Sequence, residues 1–169
     1  IEGGHTLEGQ LANLEALVQR GVAYMTLAHF FPNEIAFPTF PWPEHMQQFN
    51  WFQDERDLTR GLTVFGEEVV ERMIELGMII DIAHCTPPAR KRIYDIVGKR
   101  APLMASHVGA YEINPDPYNL QEWEMKKIAE SGGVIGVIFM NYWLMPSECT
   151  RGLNVITQTL RAFFDGAGE

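Results

Sequence analysis

Four short apolar runs in this chain stop at or beside a histidine or a glutamate, and that recurrence narrows the folds open to it. Met78-Ile79-Ile80-Asp81-Ile82-Ala83-His84-Cys85 is one, and a helical pattern follows it. Residues 101–107 repeat the grammar and end at His107; residues 23–29 end at His29; Ile1-Glu2-Gly3-Gly4-His5 offers a fourth case. Strands of a parallel sheet, buried on both faces, read as such continuous runs. They deliver side chains at their carboxyl ends, where α/β proteins keep their chemistry.

Between these runs lie helical patterns. Within residues 7–20, Leu11, Leu14, Leu17 and Val18 share a face, and Gly21 is a stop. Over 63–76 the stripe is Val64, Phe65, Val69, Val70, Met73 and Leu76, closed by Gly77. Thr86 and Pro87 are a cap and a first turn for a helix ending near Gly98. A helix is predicted over 120–131, a strand over 134–139, a loop over 141–151, a helix over 153–164 and a turn over 165–168. Strand and helix thus alternate five times, which implies a parallel sheet with right-handed crossovers. Five such units fit 169 residues, whereas eight take about 250. A five-stranded doubly wound sheet is the alternative. The sequence has no glycine-rich phosphate loop of either standard type, which argues against a nucleotide site.

Residues 30–61 break the pattern. Pro32, Pro38, Pro41 and Pro43 interrupt regular structure, while Phe30, Phe31, Phe37, Phe40, Trp42, Phe49, Trp51 and Phe52 crowd the same stretch. A connection this long is usually functional or disordered, and so many aromatics argue against disorder. It reads either as an ordered lid or pocket wall, or as a cover over barrel surface or a subunit contact.

The formal net charge of -9 argues against a nucleic-acid partner and against a polybasic membrane patch. No apolar run approaches the roughly 20 residues of a membrane span. Cys85 and Cys149 make no disulfide framework, and Cys85 reads as a buried small apolar residue. The chain opens at what reads as a strand end. An incomplete barrel would leave two unpaired edges, so the expectation is either a longer ordered chain or pairing with further copies, a homo-oligomer.

Glu2, His84 and His107 are the metal candidates, because imidazole nitrogen and carboxylate oxygen suit zinc and similar divalent ions. Their strand ends meet more readily on a curved sheet than on a flat one. A carboxylate can bridge two cations, and a cation pair can generate hydroxide at neutral pH and polarise a carbonyl. Against this, a histidine at a strand end is often only a satisfied polar residue. His29 is either a donor to a substrate oxyanion or a loop anchor. His5 reads as a turn residue, His45 as solvent-facing, and Asp81, at odd spacing from His84, as structural on the opposite face.

Five blocks carry a resemblance: Glu2-Gly3-Gly4-His5, Tyr24-Met25-Thr26-Leu27-Ala28-His29, Gly61-Leu62-Thr63-Val64-Phe65-Gly66, Ile80-Asp81-Ile82-Ala83-His84 and Ser106-His107. In order and approximate spacing they resemble the membrane (renal) dipeptidase family, zinc peptidases of the amidohydrolase superfamily. The resemblance implies a (β/α)₈ TIM barrel. This chain would be its incomplete central portion, from about the end of strand 3 to the helix before strand 8. It implies two zinc ions in a complete site, Glu2 bridging them, and His84 and His107 on the second metal. His29 would bind substrate and polarise its carbonyl, and a metal-bound hydroxide would cleave a dipeptide or related small amide. The family's His-x-Asp pair on the first strand and Asp on the eighth have no counterpart here. Where the family has an Arg-Asn pair that binds the substrate carboxylate, this chain has Tyr118 and Asn119. Tyrosine supplies no positive charge and no fork, a loss of about 1.5–3 kcal/mol. Either another cation serves, Arg60 or Arg151, or the substrate is not an ordinary free dipeptide. Three readings follow: a dipeptidase-type hydrolase, a noncatalytic barrel piece acting in binding or assembly, or a lactonase or deaminase of the same superfamily. The resemblance leaves the location between a bacterial cytoplasm, which is favoured, and membrane-anchored extracellular placement.

Overall fold

The computed structural model describes residues 1–39, 57–144 and 152–168. Four of the apolar runs form strands: β1 (Tyr24–Thr26), β2 (Ile79–Asp81), β3 (Leu103–Val108) and β4 (Val134–Val137). They make one parallel sheet in the order β1-β2-β3-β4. Spatial order equals chain order, with no reversal. A doubly wound sheet doubles back at a switch point, so the arc is that of successive barrel units. Glu2 extends the arc by a parallel bridge to Thr26, which accounts for the fifth strand-like segment.

Helices follow as the patterning requires. They are α1 (Leu11–Gln19), α2 (Val64–Leu76), α3 (Pro87–Val97), α4 (Glu122–Glu130), α5 (Asn141–Leu144) and α6 (Gly152–Ala167). The Thr63 hydroxyl accepts from the Gly66 amide at 2.9 Å to start α2, and Gly77 ends it at φ 68, a left-handed turn that glycine adopts without penalty. The Thr86 hydroxyl caps α3, with Pro87 at its first position. Val69, Val70 and Met73 of α2 and Ile93 and Val97 of α3 are buried against Met25, Ile80 and Leu103 of the sheet. Each full burial of such a side chain contributes about 1.5–3 kcal/mol.

Three boundaries differ from expectation. The 7–20 helix is split into a 3₁₀ turn, Gly4–Leu7, and α1, because Glu8 and Gly9 take positive φ. The turn expected over 165–168 is mostly helix, since α6 runs to Ala167. The loop expected over 141–151 begins as the single helical turn α5, and residues 145–151 lie outside the described residues. Of the 30–61 connection, residues 40–56, with His45, lie outside them too. Its near arm bridges Ala36 to Leu62, just ahead of α2, and Pro38 to Cys85, just past β2. There the Thr39 amide donates to His84 O at 2.6 Å and its hydroxyl to Cys85 O at 2.8 Å.

Two features position what lies at the strand ends. The buried Asp81 carboxylate accepts from Thr26 Oγ1 at 2.6 Å, the Ala83 amide at 3.1 Å and the Ser106 amide at 3.0 Å, so it ties β1, β2 and β3 together. In β3 the register slips: Ala105 pairs with Ile135 and Val108 with Val137. One extra residue on β3 is a bulge, a device that re-aims side chains beside functional sites. The bulge presses the Ser106 carbonyl against Gly136, where a Cβ would collide with it. Gly136→Ala is therefore expected to destabilise the chain by about 1–3 kcal/mol, the usual cost of overpacking, measured by urea unfolding. An unchanged midpoint would mean that β4 tolerates the shift.

Candidate metal centre

The carboxyl ends of the strands bring three side chains to one point. His84 Nε2 lies 3.2 Å from Glu2 Oε1 and 2.8 Å from His107 Nε2, and His107 Nε2 lies 3.2 Å from Glu2 Oε1. His29 Nε2 stands 3.7 Å from Glu2 Oε2, on the carboxylate's other oxygen. Glu2, His29 and His84 offer ligand atoms all within 4.8 Å of one another.

Each donor arrives by a particular piece of backbone. Glu2 sits at the bridge to Thr26, and the Gly3 and Gly4 amides donate to Thr26 O and Leu27 O, which pins the turn after it. His84 has φ 64, a conformation uncommon outside glycine though enriched for histidine, and such strain clusters at functional sites. It lies beyond the end of β2, so strand parity does not govern it. Asp81, buried, makes three hydrogen bonds within the frame. His107 lies in the β3 bulge, and its Nδ1 is 2.6 Å from the Ser106 hydroxyl, a partner that fixes the ring and leaves Nε2 for the centre. His84 Nδ1 has no hydrogen-bond partner among the described residues, so Nε2 carries that ring's polar interactions.

Aromatic side chains surround the donors. Phe30 stacks on His29 with centroids 3.9 Å apart, Tyr118 and Trp143 stack at 4.4 Å, and the rings of Phe30, Tyr118 and Trp143 all meet His84 edge-on. Sequence reasoning missed Trp143, because it rides on α5, which was read as loop. Tyr118 and Asn119 stand behind the site, where substrate contact was expected of them. The Tyr118 hydroxyl donates to His107 O at 2.8 Å, and the residue is 1% exposed. The Asn119 amide is fully engaged with the Gly109 amide and with Asn114 O and Trp143 O. Both side chains have spent their polar atoms on the frame. Of the cations suggested in compensation, Arg60 lies over the Phe37 ring at 3.8 Å, and Arg151 lies outside the described residues. His5 is exposed in the 3₁₀ turn.

The donor set fits a divalent cation. Ligand atoms around a tetrahedral zinc at about 2.0–2.2 Å stand about 3.3 Å apart, and the three separations here are 2.8, 3.2 and 3.2 Å. The electrostatics agree. The hydrogen bond from His84 holds the Glu2 carboxyl down to about 2, with help from the neighbouring imidazoles and against partial burial. Burial, and then the neighbouring His84, push His29 and His107 below their ordinary value of 6.5. Neutral imidazoles beside an ionised carboxylate are the protonation states that bind metal.

Fold and donors define a class: a parallel β/α protein with a divalent-cation ligand set at the carboxyl edge of its sheet. A family profile described as membrane dipeptidase (peptidase family M19) matches residues 1–163. Dipeptidase 3 of Mus musculus is 31% identical over 157 residues, which is 93% of this chain and 29% of that protein. Dipeptidase 3 of Homo sapiens is 29% identical over 137 residues, 81% of this chain and 26% of that protein. A metallopeptidase from Rhodobacter sphaeroides, liganded with a phosphinate mimic of the dipeptide L-Ala-D-Ala, superposes with TM-score 0.78 at 20% identity, over 99% of this chain and 45% of that one. An amidohydrolase from Pseudomonas aeruginosa does so with TM-score 0.77 at 20% identity, over 99% and 46%. The chain belongs to the membrane dipeptidase family. It spans under a third of those curated relatives and under half of those solved chains, and its fold is the corresponding arc of a TIM-type barrel.

The acid response follows from the shifts, with its sign set by linkage. His29 and His107 have lowered values in the folded state, so the unfolded chain binds more protons below 6.5, and metal-free stability declines as pH falls through that value. Glu2 is lowered from 4.5 to about 2, so its contribution is present above 4.5 and lost as pH falls towards 2. Thermal melts of the metal-free protein across this range should show both declines, and Glu2→Gln should shrink the lower one, to which Glu67, Glu71 and Glu122 also contribute. A flat profile from pH 7 to 5 would contradict the lowered imidazoles.

Proposed function

We propose that this chain carries part of the active centre of a zinc-dependent hydrolase of the dipeptidase type, which cleaves the amide bond of a small peptide or a related amide. The observation that carries this reading is the meeting of Glu2, His84 and His107 within 3.2 Å at the strand ends. Two further points support it: the family, and a structural neighbour that holds a dipeptide mimic. Glu2 would bridge two zinc ions, its Oε1 beside His84 and His107 and its Oε2 turned towards His29. When bound, such a pair supplies a nucleophile at neutral pH and Lewis acidity at a carbonyl.

The chain's own residues supply further parts of that chemistry. His29, neutral and half-buried with its ring held against Phe30, presents an N–H to the carbonyl oxygen of a substrate as charge develops there. The stacked Tyr118 and Trp143 rings wall one side and exclude water, which strengthens that hydrogen bond. The Ser106 hydroxyl and the Tyr118 hydroxyl hold His107 from its ring and its carbonyl.

Metal analysis and a chelator-controlled assay with dipeptides and dehydropeptides, made on the full-length protein, test the proposal. About two zinc ions per centre and chelator-sensitive hydrolysis are expected. His29→Asn should lower kcat about 10²–10³-fold, the usual cost of losing an oxyanion donor, with KM less affected. Absence of amide hydrolysis by the zinc-replete protein would defeat the proposal.

A further inference from the structure

The metal reading leaves one buried ion pair unused. Arg90 and Glu124 are 2% and 1% exposed and form a two-pronged pair, Nε to Oε1 at 2.6 Å and Nη2 to Oε2 at 3.1 Å. A guanidinium has five N–H donors, and here all five are placed. Two go to Glu124. Nη1 donates to Cys85 O at 2.8 Å and to Pro117 O at 3.0 Å, and Nη2 donates to Asn119 O at 3.4 Å. Glu124 in turn accepts from the Gln121 amide at 3.0 Å and from the Tyr94 hydroxyl at 3.4 Å.

The three carbonyls are not scattered. Cys85 follows His84 directly. Pro117 and Asn119 flank Tyr118, whose hydroxyl donates to His107 O at 2.8 Å and whose ring meets His84 edge-on at 5.2 Å. One planar cation therefore grips the backbone beside one histidine and both sides of the residue that holds the other. We propose that Arg90 is a positioning residue for the metal centre, keeping His84 Nε2 and His107 Nε2 at their 2.8 Å approach. Glu124 fixes the guanidinium plane and compensates its charge. The inference rests on the metal reading above. A buried guanidinium needs acceptors for all five N–H groups, but a pair serving only to join α3 to α4 could take them anywhere; here the three beyond Glu124 fall on the backbone after His84 and on both sides of Tyr118, and buried pairs by themselves add little net stability. Lysine cannot replace it, having three donors on a flexible stem and no fork.

The test is metal affinity in the folded protein, read by competition with a chromophoric chelator for Zn²⁺ and by the visible spectrum of Co²⁺. Arg90→Lys is expected to weaken affinity about 10–100-fold, the range for outer partners of metal ligands, and to change the Co²⁺ band. The double variant Arg90→Met, Glu124→Leu removes the lone buried charge that a single substitution leaves and should regain part of the thermal stability without recovering affinity. Tyr118→Phe, which removes one hydroxyl, should give a smaller loss in the same direction. Arg92→Ala, at the surface pair with Glu67, should leave affinity unchanged. Wild-type affinity and an unaltered Co²⁺ spectrum in a folded Arg90 variant or in Tyr118→Phe would overturn the positioning role while leaving the metal reading intact. A wild-type protein that takes up neither ion overturns both.

Discussion

Two imidazole nitrogens 2.8 Å apart cannot both point bare lone pairs at each other. Either one carries a proton, or both share a cation. The structure brings them together beside a carboxylate held ionised far below its usual range, so the vicinity is made for positive charge. Much of the surrounding backbone can be understood from that requirement. His84 leaves its strand through a left-handed turn, and His107 sits in a bulge. Neither strand would present its ring to the common point if it ran on regularly.

Holding that arrangement falls to buried polar groups. Asp81 ties three strands just beneath the donors, and the Thr39 backbone and hydroxyl clasp the turn at His84 and Cys85. Each of these groups is satisfied, as a buried polar group has to be if it is not to cost a few kcal/mol. Hydrophobic burial makes the sheet and its helices compact, but it is indifferent to an ångström at the rim. Directional hydrogen bonds fix that last ångström.

The sheet was legible in the sequence because strands buried on both faces leave continuous apolar runs. Residues 79–81 and 134–137 announce themselves, and Thr63, Gly77, Thr86 and Pro87 mark helix ends by local chemistry. Glu2, His84 and His107 were legible as candidates because each closes such a run. Their mutual geometry was not. A positive φ at a histidine and a one-residue slip between Ala105 and Val108 leave no compositional trace. Arg90 and Glu124 look like ordinary amphipathic-helix residues, since their partnership spans 34 positions. Tyr118 and Asn119 were assigned outward roles by position, whereas burial turned their polar atoms to the frame. The single turn at Asn141–Leu144 was too short to show a period.

Cys85 takes the opposite course from the histidine before it. It is adjacent to His84 in sequence yet fully buried, and burial pushes its thiol up to about 12. The thiol belongs to the hydrophobic core with Leu27, Ala28 and Ile82, where it serves as a small apolar filler. A buried neutral thiol is a poor nucleophile, so this sulfur is of the inert, structural kind. One turn of backbone at 84–85 thus sends an imidazole to the rim and its neighbour into the packing beneath, so a change in either is felt by both.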